Sequence, residues 1–268
     1  MGAFEKVNVI YCDFQSPISD EDISELISNK DLECIRPCGG YVPSEKDLYL
    51  LNDFFKKRPD VAFRVTCKGQ LRHIPYVQNI SEPVEGCLGE ELEDLKYIKC
   101  LNSISLVEKN IEPLLAYKDE LICLGLEGTI NKSSHEILPK LGNLKTLYLD
   151  STTLKSFTYI SELPIEKLSL YGRQPSDTLE LEKLTGLKEI HIKNKSTEFS
   201  VKKDTFAIPE TVKFYVTSEH IKDVLKSNLS TSNDIIVEKV DNIKQETNVD
   251  KPKEGTGKTE TDVTKPKE

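Results

Sequence analysis

Four histidines, seven cysteines and one glycine-lysine segment are the residues of this chain whose types could support catalysis or ligand binding. The segment "EGTGKT" at 254–259 matches the second half of G-x-x-x-x-G-K-[ST], the pattern whose backbone amides cradle phosphates. The full pattern needs glycine five residues before Gly257, where the chain has Pro252. It also needs a buried strand before and a helix after, and neither is signalled here. His73, His135, His191 and His220 stand outside any triad, H-E-x-x-H or Cys-His motif. Only His191, with Glu189 and Lys193 two residues to either side, has neighbours suited to proton transfer. Without a positioned nucleophile it reads as a contact residue or a pH-sensitive surface group. Cys34-x3-Cys38 has no second pair at zinc-ligand spacing, and Cys100 and Cys123 read as structural thiols. No catalytic residue, metal or cofactor is therefore assigned. An enzyme using His191 or a cysteine is the alternative reading.

The elements that would position any site are set by composition and periodicity. At 37% hydrophobic and 30% charged residues the chain reads as a soluble protein. No apolar run approaches the roughly 18–20 residues needed to span a bilayer. The start, "MGAFEKVNVIYCDF", lacks the pattern of a secretory leader, and Lys6 stands where a myristoylation signal wants Ser or Thr. An odd number of irregularly spaced cysteines suits a reducing compartment, so the cytoplasm is expected. A formal charge of −9 and the lack of a basic stripe argue against nucleic acid.

From Lys239 the chain changes character. Residues 239–268 hold no aromatic residue, seven lysines against seven acids, and a near-repeat of "VDKPKE" as "VTKPKE". Such a segment buries too little surface to offset its ordering entropy, so 239–268 is expected to be a disordered tail. The −9 then belongs to residues 1–238.

Within 1–238 a repeat emerges. "LNSISL" from Leu101, "LICLGL" from Leu121, "LKTLYL" from Leu144, "IEKLSL" from Ile165 and "LKEIHI" from Leu187 follow one another at 20, 23, 21 and 22 residues. "TVKFYV" from Thr211, "DVAFRV" from Asp60 and "FEKVNV" from Phe4 keep the last two apolar positions, and a degenerate unit falls near Ile80. The fourth and sixth positions alternate with period two, a strand property rather than a helical one. No single unit can bury that face, so neighbouring units must stack.

These segments satisfy L-x-x-L-x-L, and on them the chain resembles the leucine-rich repeat family over about residues 4–237. The phrase "PLLAYKDELICLGLEG" is similar to the short bacterial repeats. The resemblance implies an α/β solenoid with a curved parallel sheet: longer helix-containing repeats over 1–75, short repeats over 76–238. The family's ninth-position asparagine, which bonds the turn backbone, is replaced by Lys109, Thr129, Thr152, Arg173 and Lys195, so less regular turns are expected. Ser19 with Asp22 and Ser44 with Asp47 are capping patterns before helical apolar spacing. They predict helices near 20–29 and 45–57 on the convex side, following strands near Val7, Cys34 and Phe63, with irregular returns later.

That register converts the sequence into a surface map, because side chains alternate across a strand. Third, fifth and seventh positions face away from the core. Tyr148, Tyr171, His191 and Tyr215 are expected to form an aromatic cluster, with Glu127 and Asp150 on one side and Lys193 and Lys213 on the other. Thr146, Lys167 and Glu189 add to the face. Tyrosine gives large contact area at low entropic cost. The expected function is a non-catalytic scaffold, an adaptor or an inhibitor or immunity protein. Its partner is another protein, a basic one suiting the −9 charge, with neither nucleic acid nor membrane involved.

Overall fold

The computed structural model describes residues 4–7, 11–81, 92–107, 110–127, 132–150, 160–171, 184–193, 208–229 and 231–238. The chain divides into one unit spanning Met1–Glu238 and a second spanning Lys239–Glu268. The second, on which the expectation of a disordered tail falls, lies outside the described residues.

Apolar residues three apart set the way each strand is approached. Leu71, Ile74, Val77 and Ile80 are all buried, as are Leu92, Leu95, Ile98 and Leu101. In a 3₁₀ turn residues i and i+3 eclipse, so this spacing keeps one apolar edge facing inward. Amide-to-carbonyl bonds of that span run from Ile74 to Leu71, Val77 to Ile74, Leu95 to Leu92 and Ile98 to Leu95. The same bonds recur from Leu114 to Ile111, Leu141 to Leu138, Leu144 to Leu141, Leu163 to Ile160 and Leu187 to Leu184. At the strand the apolar period switches to two. Leu147 and Leu149 are fully buried, and burial of each is worth about 1.5–3 kcal/mol.

The result is one twelve-stranded sheet whose spatial order is the chain order. The strands are β1 (Phe4–Val7), β2 (Tyr11–Phe14), β3 (Cys34–Pro37), β4 (Ala62–Arg64), β5 (Asn79–Ser81) and β6 (Ser103–Val107). They continue as β7 (Cys123–Glu127), β8 (Thr146–Asp150), β9 (Lys167–Tyr171), β10 (Glu189–Lys193), β11 (Lys213–Val216) and β12 (Ile235–Val237). Pairing is parallel from β2 to β12, while β1 runs antiparallel to β2. The repeat-like array therefore begins at Tyr11, not at Phe4 as expected. "YCDF" is the missed strand; its half-buried Asp13 faces away from the core, while Cys12 and Phe14 face into it.

Helices α1 (Asp20–Ser28) and α2 (Glu45–Lys57) form where the capping patterns place them, and both capping boxes are closed. Their buried residues Ile23, Leu26, Leu48, Leu51, Phe54 and Phe55 join the strand leucines in one core. Asp47 ties the two together. Its carboxylate accepts from Ile18 N at 2.8 Å, Tyr41 Oη at 2.7 Å, Ser44 N at 2.8 Å and Ser44 Oγ at 2.6 Å. Burial raises the Asp47 carboxyl, but these bonds, Ser44's first among them, hold it below the usual range. Two later helices were not expected: the short α3 (Lys132–Ile137) and α4 (Glu219–Asn228). Ser218 caps α4, and Ile221 and Leu225, four apart, bury against the last strands. That capped pattern was present in "SEHIKDVLK" and was masked by the shorter repeats before it.

The five ninth-position residues lie outside the described residues. Elsewhere the turns are clasped by side chains of the following repeat. Arg58 donates to Asn29 O at 2.6 Å and Leu32 O at 3.1 Å; Asn79 donates to Pro59 O at 2.9 Å and Asp60 O at 3.1 Å. Tyr117 Oη, with one proton to share, lies 2.5 Å from Leu95 O and 3.1 Å from Ile98 O, and Asn143 donates to Asp119 O. Asn233 donates to Pro209 O at 2.8 Å and Val212 O at 2.9 Å. These bonds tie each turn to the unit that follows it, adding a second donor at Asn29, Leu95 and Pro209, whose carbonyls already accept a backbone amide.

Candidate functional site

Alternation puts every second residue of β8–β11 on the face opposite the leucine core. Register fixes their neighbours: Tyr148 beside Ser169, Ser169 beside His191, and His191 beside Tyr215. A second row sets Thr146 beside Lys167, Lys167 beside Glu189, and Glu189 beside Lys213. In a third, Asp150 pairs with Tyr171, and Tyr171 with Lys193. Thus Thr146, Tyr148, Lys167, Glu189, His191, Lys193 and Tyr215 share one surface. The backbones of Glu127, Asp150 and Tyr171 follow the same register, but their side chains lie outside the described residues.

The aromatic cluster differs from the one expected. Tyr148 and His191 do not adjoin, because Ser169 stands between them, so they are two strand spacings apart, roughly 9–10 Å. His191 instead stacks on Tyr215, ring centroids 4.5 Å apart and planes 11° from parallel. Nor is His191 an exposed group, as the sequence suggested: it is 6% exposed. Its Nε2 lies 3.2 Å from Glu189 Oε2 and its Nδ1 3.5 Å from Glu238 Oε1. Glu238 follows β12 and reaches the site because that strand adds to the sheet beside β11. The short "DIIVE" run was the only sequence sign of it.

The floor of this surface holds a second unanticipated feature. Ser169 is fully buried, and its Oγ is the one buried side-chain oxygen or nitrogen among the described residues that has no hydrogen-bond partner. A buried hydroxyl left unmet costs roughly 1–3 kcal/mol. Tyr148 beside it is half-buried, and that burial pushes its phenol up. The nearby charges are partly consumed. Lys167 Nζ lies 3.7 Å from Glu189 Oε2, which also faces His191. Lys193 and Lys213 are exposed, and no acid pairs with either among the described residues.

Towards the N-terminus the same face changes. Asn79, Ser81, Ser103, Ser105, Cys123 and Gly125 make a floor of small side chains. A Cβ on Gly125 would stand 2.8 Å from Ser105 Oγ, so glycine permits this approach. Beyond it Arg36 pairs with Asp13 at 2.7 and 2.9 Å and lies 4.3 Å over the Tyr11 ring.

The thiols are poorly suited to nucleophilic work. Burial pushes Cys12 and Cys34 up to about 12 and raises Cys67, Cys100 and Cys123 as well. Such thiols stay protonated near neutrality. Among the described residues no group of three or more His, Cys, Asp or Glu could hold a metal ion, and no helix is long and apolar enough to cross a membrane.

Comparison with known proteins adds little. No family model matches the chain, and no curated protein matches it. A crystal structure of the pneumococcal vaccine antigen PcpA is similar at 39% identity over 68% of this chain. The match spans 40% of that chain, and its TM-score of 0.30 is too low to define a shared fold.

Proposed function

We propose that residues 1–238 form a leucine-rich repeat solenoid that serves as a non-catalytic scaffold, binding a partner protein on the open face of β8–β11. The observation that carries this is the asymmetry of the sheet. One face is filled by leucines, helices and 3₁₀ returns. The other offers Tyr148, the stacked His191–Tyr215 pair and exposed lysines. Parallel strands are usually covered on both faces, so an open one presenting tyrosines favours association. The free state of the described cysteines suits a cytoplasmic setting.

The rival reading, an enzyme built on His191 or a cysteine, has less support. The His191 ring is already flanked by two carboxylates and stacked on a tyrosine, and the buried thiols are held protonated. Affinity isolation from the native host separates the two. A stoichiometric partner retained by the wild type, lost by Tyr148→Ala with Tyr171→Ala, and kept by Tyr97→Ala on the return side supports the scaffold. Absence of any partner, together with a turnover abolished by His191→Ala, refutes it.

A further inference from the structure

We propose that Ser169 is the hydrogen-bonding anchor for an acidic side chain of the partner, seated between Tyr148 and the His191–Tyr215 pair and held electrostatically by Lys193 and Lys213. This rests on the reading of the open face as the partner-binding surface.

The hydroxyl is the starting point. Ser169 is fully buried with no partner for its Oγ among the described residues, although it projects from the face that carries no leucine core. Alanine would fill the same space without an unmet polar atom, so the hydroxyl adds nothing to this fold. Among the described residues, the nearest same-face neighbours of Ser169 lie across the strands. In register these are Tyr148 and His191. His191 is fixed by its stack on Tyr215 and by Glu189 and Glu238. Tyr148 is half-buried and has no hydrogen bond of its own among the described residues, so of the two neighbours it is the less constrained.

Charge selects the ligand. A serine hydroxyl can donate or accept, so it does not choose by itself. Of the described carboxylates nearby, Glu189 lies 3.7 Å from Lys167 and 3.2 Å from His191, and Glu238 lies 3.5 Å from His191. Among the described residues, Lys193 and Lys213 have no opposite charge paired with them, and both are exposed and on the two strands after Ser169. A carboxylate over Ser169 would receive the hydroxyl proton in a charge-assisted bond, with Lys193 one strand and Lys213 two strands away on the same face. The site thus prefers an acidic segment, opposite to what the overall −9 suggests. Acid outside the site includes α1, where Asp20, Glu21 and Glu25 are exposed.

The test uses the full chain and three probes: a hexaglutamate peptide, a hexalysine peptide and an oligothymidylate, titrated calorimetrically at low ionic strength. Saturable binding of hexaglutamate, weakened about tenfold by Ser169→Ala and by Lys193→Glu with Lys213→Glu, is the expected result. Lys96→Glu with Lys99→Glu, on the return side, should leave it unchanged. Ser169→Ala should keep or raise the thermal midpoint. A midpoint lowered by several degrees would mean that the hydroxyl serves the fold, and the proposal fails. Weakening by the lysine changes but not by Ser169→Ala overturns the anchor and leaves the open-face reading standing. Hexaglutamate binding that ignores Ser169, Lys193 and Lys213 alike overturns both. Preference for hexalysine or the oligonucleotide, or no binding of hexaglutamate, overturns the acidic ligand.

Discussion

Replacing Asp47 with alanine is expected to destabilise the N-terminal end of the sheet by about 3–4 kcal/mol, and the size of that loss follows from its contacts. The carboxylate is 1% exposed and takes four hydrogen bonds. Two of the donors, on Ser44, sit at an exposed residue and can turn to water, so their loss is a capping loss of about 1 kcal/mol. Ile18 N is buried, and an unmet buried donor costs roughly 1–3 kcal/mol, while the half-buried Tyr41 hydroxyl can turn in part to water and adds less. Urea unfolding followed by circular dichroism at pH 7 measures the difference. Asp53→Ala, at an exposed position of the same helix, provides the comparison. Acidification gives a second, independent reading. The folded-state carboxyl is held low, so its contribution is present above the ordinary carboxylate range and disappears as pH falls through the depressed value. The gap between wild type and Asp47→Ala should therefore shrink towards pH 2. At the alkaline end, burial and the bond to Asp47 push Tyr41 up to about 12, so its contribution is lost as pH rises from about 10 through that value. A loss under 1 kcal/mol at pH 7, or a gap that does not close on acidification, would refute the view of Asp47 as the joint between α1 and α2.

Two further outcomes follow from packing on the sheet. Cys12 and Cys34 should resist a disulfide reagent such as DTNB at pH 8 in the native state and react fully in urea, since both are buried and raised to about 12; rapid native labelling of either contradicts their placement. Gly125→Ala should cost about 1–2 kcal/mol in urea unfolding, and Ser105→Gly should recover most of it, because the new Cβ would stand 2.8 Å from Ser105 Oγ; equal costs in the single and double variants would show that the two positions do not touch.

The strands of the regular repeats and both N-terminal helices were legible because local patterns specify them: period two at Leu147 and Leu149, and the Ser–Asp caps. What escaped was set by neighbours. Nothing within "FEKV" says that it runs antiparallel, since direction depends on the connection to Tyr11–Phe14. His191 was placed on the correct face, but its burial comes from Tyr215 and Glu238 on later strands. Ser169 drew no notice because an unmet hydroxyl is a property of surroundings, invisible in "KLSLY". The turn clasps were missed for a related reason: they use Arg58, Tyr117 and asparagines at changing offsets rather than one repeated position.

Those clasps all point one way. Arg58, Asn79, Tyr117, Asn143 and Asn233 each reach back to the return that precede them in the chain, and none of these bonds runs forward. A repeat emerging from the ribosome therefore lacks its clasp until its successor arrives, and the finished array is completed from its N-terminal end. Shortening it from the C-terminus opens these clasps one after another, whereas removal of units from the N-terminus leaves the remaining clasps closed. The molecule thus has a grain, and its tolerance of truncation should differ between its two ends.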